Sequence, residues 1–135
     1  MKKIFGLLSI MFLTIFILGG CSSKSNSINI KSFLTDGSEK WSMTSSTDPN
    51  INPKIIFQSS EQATFLIGTK SFEVAYEVNE DKSEITFISE YFTNIYANTT
   101  IKLTDVEIVD KDTIVATGKY DSNTSDSVRL TRINN

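Results

Sequence analysis

From Phe33 to the end of the chain, apolar residues recur at every second position. That period constrains the fold more than any other feature, because alternate side chains of a strand point to opposite faces. Lys40-Trp41-Ser42-Met43-Thr44 alternates polar and apolar, and Lys54 to Gln58 is a compact apolar run behind Pro49 and Pro53. Ala63 to Ile67 follows a Ser-Ser-Glu-Gln turn and stops at Gly68. Ser71 to Val78 is the clearest strand: Phe72, Val74, Tyr76 and Val78 share one face, Glu73 and Glu77 the other. Asn79-Glu80-Asp81-Lys82 turns the chain into Glu84 to Ser89, with Ile85 and Phe87 inward. Ile101-Lys102-Leu103 and Val106-Glu107-Ile108 each alternate, but with opposite parity. One extra residue near Thr104-Asp105 restores the inward face, so a β-bulge or sharp bend is expected there. Asp110-Lys111-Asp112 forms a tight hairpin into Thr113 to Tyr120, Asp121 to Asp126 is a polar loop, and Val128 to Ile133 closes the chain. The pattern predicts no helical stripe and no internal repeat.

About eight strands joined by turn residues predict an all-β, antiparallel fold, either a barrel or a sandwich. The chain has one cysteine and therefore no internal disulfide. A small domain without that staple gains from having no open sheet edge, which favours a small up-and-down barrel or half-barrel.

Trp41 on the first strand, the phenylalanines Phe57, Phe65 and Phe72, and the closing Leu130-Thr131-Arg132 together resemble the lipocalin-like domains of small bacterial lipoproteins. The resemblance covers most of residues 39–133. It implies that Arg132 packs across Trp41 to close the base of a barrel, a cation–π contact of ~0.5–2 kcal/mol.

The first twenty residues have a different character. Met1-Lys2-Lys3 is a positive start, Ile4 to Leu18 is an apolar run of fifteen residues, and Gly19-Gly20 leads into Cys21. Fifteen residues fall short of the ~20 needed to span the hydrocarbon core, and the arrangement reads as a secretory signal, 1–20. Leu18-Gly19-Gly20-Cys21 resembles the lipobox of bacterial lipoproteins. The resemblance implies a thioether diacylglycerol on Cys21, palmitate-like acylation and a cell-membrane address on the extracytoplasmic face. Abundant Ile, Lys, Asn and Ser point to an AT-rich genome and a Gram-positive cell. Residues 21–32 hold five serines after the cysteine and read as a flexible tether, with Ile28 and Ile30 able to add a short strand. Residues 33–135 then form the single domain.

Losing Lys2 and Lys3 with the signal takes the net charge from −3 to −5. That balance argues against nucleic acid and against a polybasic grip on lipid headgroups. The chain has no histidine, which removes Ser-His and Cys-His nucleophile systems, His-metal sites and the ordinary near-neutral pH switch. No serine sits in a Gly-x-Ser-x-Gly elbow. Asp110 and Asp112 read as a hairpin tip rather than half of a calcium site, which wants six to eight oxygens. Glu73 and Glu77 lie ~13 Å apart along a strand, too far for a glycosidase pair. No catalytic residue, metal site or cofactor is expected.

Glu90 to Asn98 is richer than a connector. Tyr91, Phe92 and Tyr96 lie among polar residues without clean alternation. They read either as a strand or a turn of helix plugging one barrel end, with the aromatics in the core, or as an aromatic binding surface. The expected function is a non-enzymatic, membrane-anchored binding or accessory protein. It would capture a small apolar ligand or dock on a membrane protein such as a sensor or transporter. The alternative is an immunity or exclusion protein that sequesters a cationic membrane-active peptide. It rests on a resemblance in size and composition to lipoproteins that protect producing bacteria from their own peptides.

Overall fold

The structure, a computed structural model, describes residues 29–36, 40–58, 61–96, 98–120 and 125–134. The signal segment, Cys21, the tether through residue 28 and the loop 121–124 lie outside the described residues.

The described residues form a closed barrel of eight antiparallel strands in up-and-down order. They are β1 (Lys40–Ser45), β2 (Lys54–Phe57), β3 (Gln62–Ile67), β4 (Lys70–Asn79), β5 (Glu84–Ile88), β6 (Thr100–Asp110), β7 (Thr113–Lys119) and β8 (Ser125–Arg132). Closure is made by β1 and β8, with Trp41 opposite Arg132 and Ser45 opposite Val128. The expected barrel is therefore complete rather than a half-barrel, and every strand has two neighbours.

Turn chemistry follows the sequence. Gly68, with φ +61°, makes the two-residue connection from Ile67 to Lys70, a left-handed position that suits glycine. At the β6–β7 tip, Asp110 Oδ1 accepts from Asp112 N at 2.8 Å, so Asp110 serves the hairpin. The expected parity break is also present. Pairing of β6 with β7 shifts between Thr104 and Glu107, Asp105 takes φ +52°, and Val106 N turns to Ser83 O at 3.0 Å. This bulge keeps both Leu103 and Val106 buried.

The barrel interior is filled. Trp41, Phe57, Phe65, Tyr76, Phe87 and Phe92 are fully buried, and an eight-stranded barrel is about wide enough for side chains alone to fill. Phe57 meets Tyr76 edge-on with centroids 4.9 Å apart, and Phe65 meets Phe87 at 5.1 Å. Such geometry adds ~0.5–1.5 kcal/mol per pair beyond burial.

One departure from the sequence reading concerns the chain before the barrel. The serine-rich pattern places residues 30–32 in the tether, yet Ile30 opens a short helix, α1 (Ile30–Thr35), rather than a strand. Asn29 caps it by accepting from Ser32 N at 2.9 Å, and Ile30 and Leu34, one turn apart, are buried against the barrel. Six residues do not hold a helix in water on their own. Glu80 supplies what local propensity lacks, its two carboxylate oxygens accepting from Ile30 N and Lys31 N at 3.0 Å each. The stretch after β5 takes the helical form of the plug reading: a 3-10 turn (Glu90–Phe92) runs into one helical turn, α2 (Thr93–Tyr96). No helix among the described residues is long and apolar enough to cross a membrane.

Candidate functional site

The up-and-down order sorts the loops into two ends. The base carries α1 and the turns after β2, β4 and β6; the far end carries the loops after β1, β3, β5 and β7.

At the base, Arg132 occupies the inward face of β8. Its Cζ lies 4.5 Å from the Trp41 ring and 5.0 Å from the Phe33 ring. Its Nη2 donates to Phe33 O at 3.0 Å, Nη1 donates to Asp36 O, and Nε stands 3.7 Å from Asp112 Oδ1. Trp41 Nε1 donates to Leu34 O at 2.9 Å. The guanidinium and the indole thus bind α1 across the barrel mouth through backbone carbonyls. Trp41 and Arg132 are brought together here as a seal.

At the far end, the same inward face of β8 carries Asp126. The alternation Asp126, Val128, Leu130, Arg132 continues past the boundary read from sequence, which placed Asp126 in a loop and began the strand at Val128. Asp126 is 5% exposed. Ser45 and Ser46 donate their hydroxyls to its two oxygens, and Thr47 N donates to Oδ1 at 3.1 Å. Burial pushes the carboxyl up, but these donors together outweigh it and hold the group at about 2. The carboxylate thereby anchors the β1–β2 loop, which continues with Asp48 N donating to Ser45 Oγ at 3.3 Å and Ile51 N donating to Asp48 O at 3.2 Å.

Beside this anchor lies a cavity of about 150 Å³. Met43, Ile51, Ile95 and Tyr120 form its apolar side; Ser45, Thr47, Asp48 and Asp126 form its polar side. Gly118 makes room for the Tyr120 ring, because a Cβ there would stand 3.1 Å from the Tyr120 hydroxyl and 2.6 Å from Val128 Cγ2. Burial raises the Tyr120 pKa and the Asp126 charge raises it further, against a hydrogen bond with Ser45. Larger depressions, of about 470 and 520 Å³, lie open on the outer wall along β4, lined by residues such as Glu77, Asn79, Glu80 and Gln62.

The aromatic stretch divides. Phe92, named as a binding candidate, is fully buried and packs on Phe65 and Phe72 at 5.4 and 5.9 Å. It faces inward from the 3-10 turn and serves the core. Tyr91 is 58% exposed and stacks on Phe72 at 5.4 Å, beside the exposed Ile88 at the end of β5. Tyr96 ends α2. From this stretch, Ile95 lines the cavity.

The site residues missed from sequence are Asp126, Tyr120, Met43 and Ile95. A carboxylate in the alternating register of Val128 and Leu130 was the readable clue for Asp126. Ile95 had none, because one turn of helix is too short to show a period. Chemically the site offers a fixed anion, an apolar pocket and neutral hydroxyls. A carboxyl held near 2 is a weak base, far from the near-neutral pKa that suits general-base catalysis.

No family model matches the chain, and no curated protein matches it in sequence.

Proposed function

We propose that the chain is a lipid-anchored, extracytoplasmic binding or accessory protein without catalytic activity. In this reading it docks its partner at the barrel end remote from its anchor. The observation that carries the reading is the contrast between the ends: a base sealed by α1, and a far end with a cavity and the exposed Tyr91. Seven residues, Ser22 to Ile28, separate Cys21 from the Asn29 cap, and fully extended they reach at most about 25 Å. A diacylglycerol on Cys21 would hold α1 and the base toward the bilayer and turn the cavity outward. Two acyl chains suffice for stable anchoring.

The filled interior favours docking on a protein over storage of a whole apolar ligand, since pockets that enclose drug-sized ligands measure about 300–1,000 Å³. A second reading, sequestration of a cationic membrane-active peptide, is favoured by Asp48 and Asp126 at the cavity and by the negative charge of the domain.

The test compares the two ends in producing cells. A photo-cross-linking residue replaces Tyr91 at the far end or Val109, 54% exposed near the base. Adducts of a discrete partner at position 91 and not at 109 are expected; adducts at 109 alone, or at neither position, contradict the reading. In the same cells, Cys21→Ser moves the protein out of the membrane fraction, and its retention there contradicts the anchor.

A further inference from the structure

The far-end cavity is small, apolar on one side and anionic on the other, and these properties together select a ligand group. We propose that it receives one alkylammonium group, a compact cation on a short aliphatic stem. The inference rests on the reading of the far end as the docking end and names the chemistry that enters it.

Size is the first argument. A cavity of about 150 Å³ holds roughly a benzene-sized group, and a butylammonium ion has about the same number of heavy atoms. Shape of polarity is the second. Met43, Ile51 and Ile95 offer an apolar wall for methylenes, and the Tyr120 side chain adds aromatic surface to it. Donor and acceptor balance is the third. Ser45, Ser46 and Thr47 direct their hydroxyls to Asp126, so their hydrogens are committed, and the Asp48 carboxylate adds acceptor oxygens to the polar side. An ammonium has three donors and no acceptor. It fits such a rim, whereas a carboxylate or phosphate does not.

Charge is the fourth argument. The Asp126 carboxylate is buried, ionised and held by hydroxyl and amide donors alone. Among the described residues, no Lys or Arg forms an ion pair with it or with Asp48. The Tyr120 pKa, raised mainly by its own burial, is raised a little further by the Asp126 charge. A cation entering there meets uncompensated negative charge in a partly dry site, where attraction exceeds that in water. The base gives the internal comparison: there a cation, Arg132, already lies between Phe33 and Trp41 with a carboxylate beside it.

The test uses the full chain in mild detergent with ¹³C-labelled methionine methyl groups. The chain has three methionines; Met1 and Met11 leave with the signal in this reading, so Met43, which lines the cavity, is the one reporter in the anchored chain. The probes are n-butylammonium, n-butanol and butyrate, followed by Nα-acetyl-lysine N-methylamide. A saturable shift of the Met43 methyl is expected for butylammonium, with an affinity about fivefold or more above that of butanol and no shift for butyrate. Asp48→Asn weakens the ammonium alone, and Asp126→Asn abolishes its preference if the variant folds. Equal affinities for butylammonium and butanol overturn the inference while leaving the far end as the docking end. No Met43 shift with any probe overturns it as well. The cross-linking contrast between positions 91 and 109 judges the docking end independently. Binding of the capped lysine marks a polypeptide side chain as the source; binding of butylammonium without it marks a free amine.

Discussion

β8 carries one charge at each end of its inward face, and the barrel treats the two in opposite ways. Arg132 at the base is covered by a chain segment: two rings flank it, α1 carbonyls accept from it, and Asp112 stands beside it. Asp126 at the far end is satisfied by small hydroxyls of the adjoining loop, and space remains next to it. A charge inside a barrel mouth needs partners wherever it sits. When rings and a helix supply them the mouth closes; when serines supply them it stays open enough for a guest.

The sharpest way to break this comparison is to remove the base seal. Trp41→Ala deletes a fully buried indole, the ring under Arg132 and the bond to Leu34 O. It is expected to cost ~3–5 kcal/mol in denaturant unfolding. A loss below about 1 kcal/mol would mean that the base is not a packed seal.

Asp126→Asn comes next, at about 1–3 kcal/mol, because it weakens charge-assisted bonds from Ser45, Ser46 and Thr47. It also sharpens the comparison through pH. The folded carboxyl lies at about 2 against an ordinary 3.8. A depressed value stabilises the fold fully above the ordinary pKa, and the contribution fades as pH falls from about 4 toward 2. The wild-type chain therefore loses stability across that window, and the variant shows a shallower acid limb. Identical acid limbs would place the effect elsewhere.

How much of this was legible in the sequence follows from the same two ends. Alternation gave the strands, and opposite parity on either side of Thr104-Asp105 gave the bulge, because period two leaves no freedom in which face a residue takes. The pairing of Trp41 with Arg132 was expected from family resemblance and follows from their opposition across the β1–β8 seam. The helix α1 was not legible. Its stability comes from Glu80, fifty positions away, and from burial of Ile30 and Leu34 against strands that local sequence does not reveal. The aromatic stretch was legible as special but not in its parts. Tyr91 and Phe92 are neighbours in sequence, and the 3-10 turn sends one outward and the other into the core. The cavity was hidden because its walls come from four separate stretches of chain.

Smaller effects probe each end more gently. Glu80→Gln removes a charge from the α1 N-terminus and is expected to cost ~0.5–1 kcal/mol while leaving the Met43 methyl resonance unchanged. A shift at Met43 would show that the two ends are coupled. Tyr91→Ala is expected to change stability by only about 0.5 kcal/mol yet to reduce partner capture. The reverse pattern, a large stability loss with capture intact, would return Tyr91 to the core.

Native-state amide hydrogen exchange of the full chain compares the ends in one experiment. The Trp41 and Arg132 amides at the base are expected to exchange only with global unfolding. Those of Thr47 and Ile51 beside the cavity are expected to exchange through local openings of much lower free energy. Equal opening free energies at both ends would contradict the account of a sealed base and an adaptable far end.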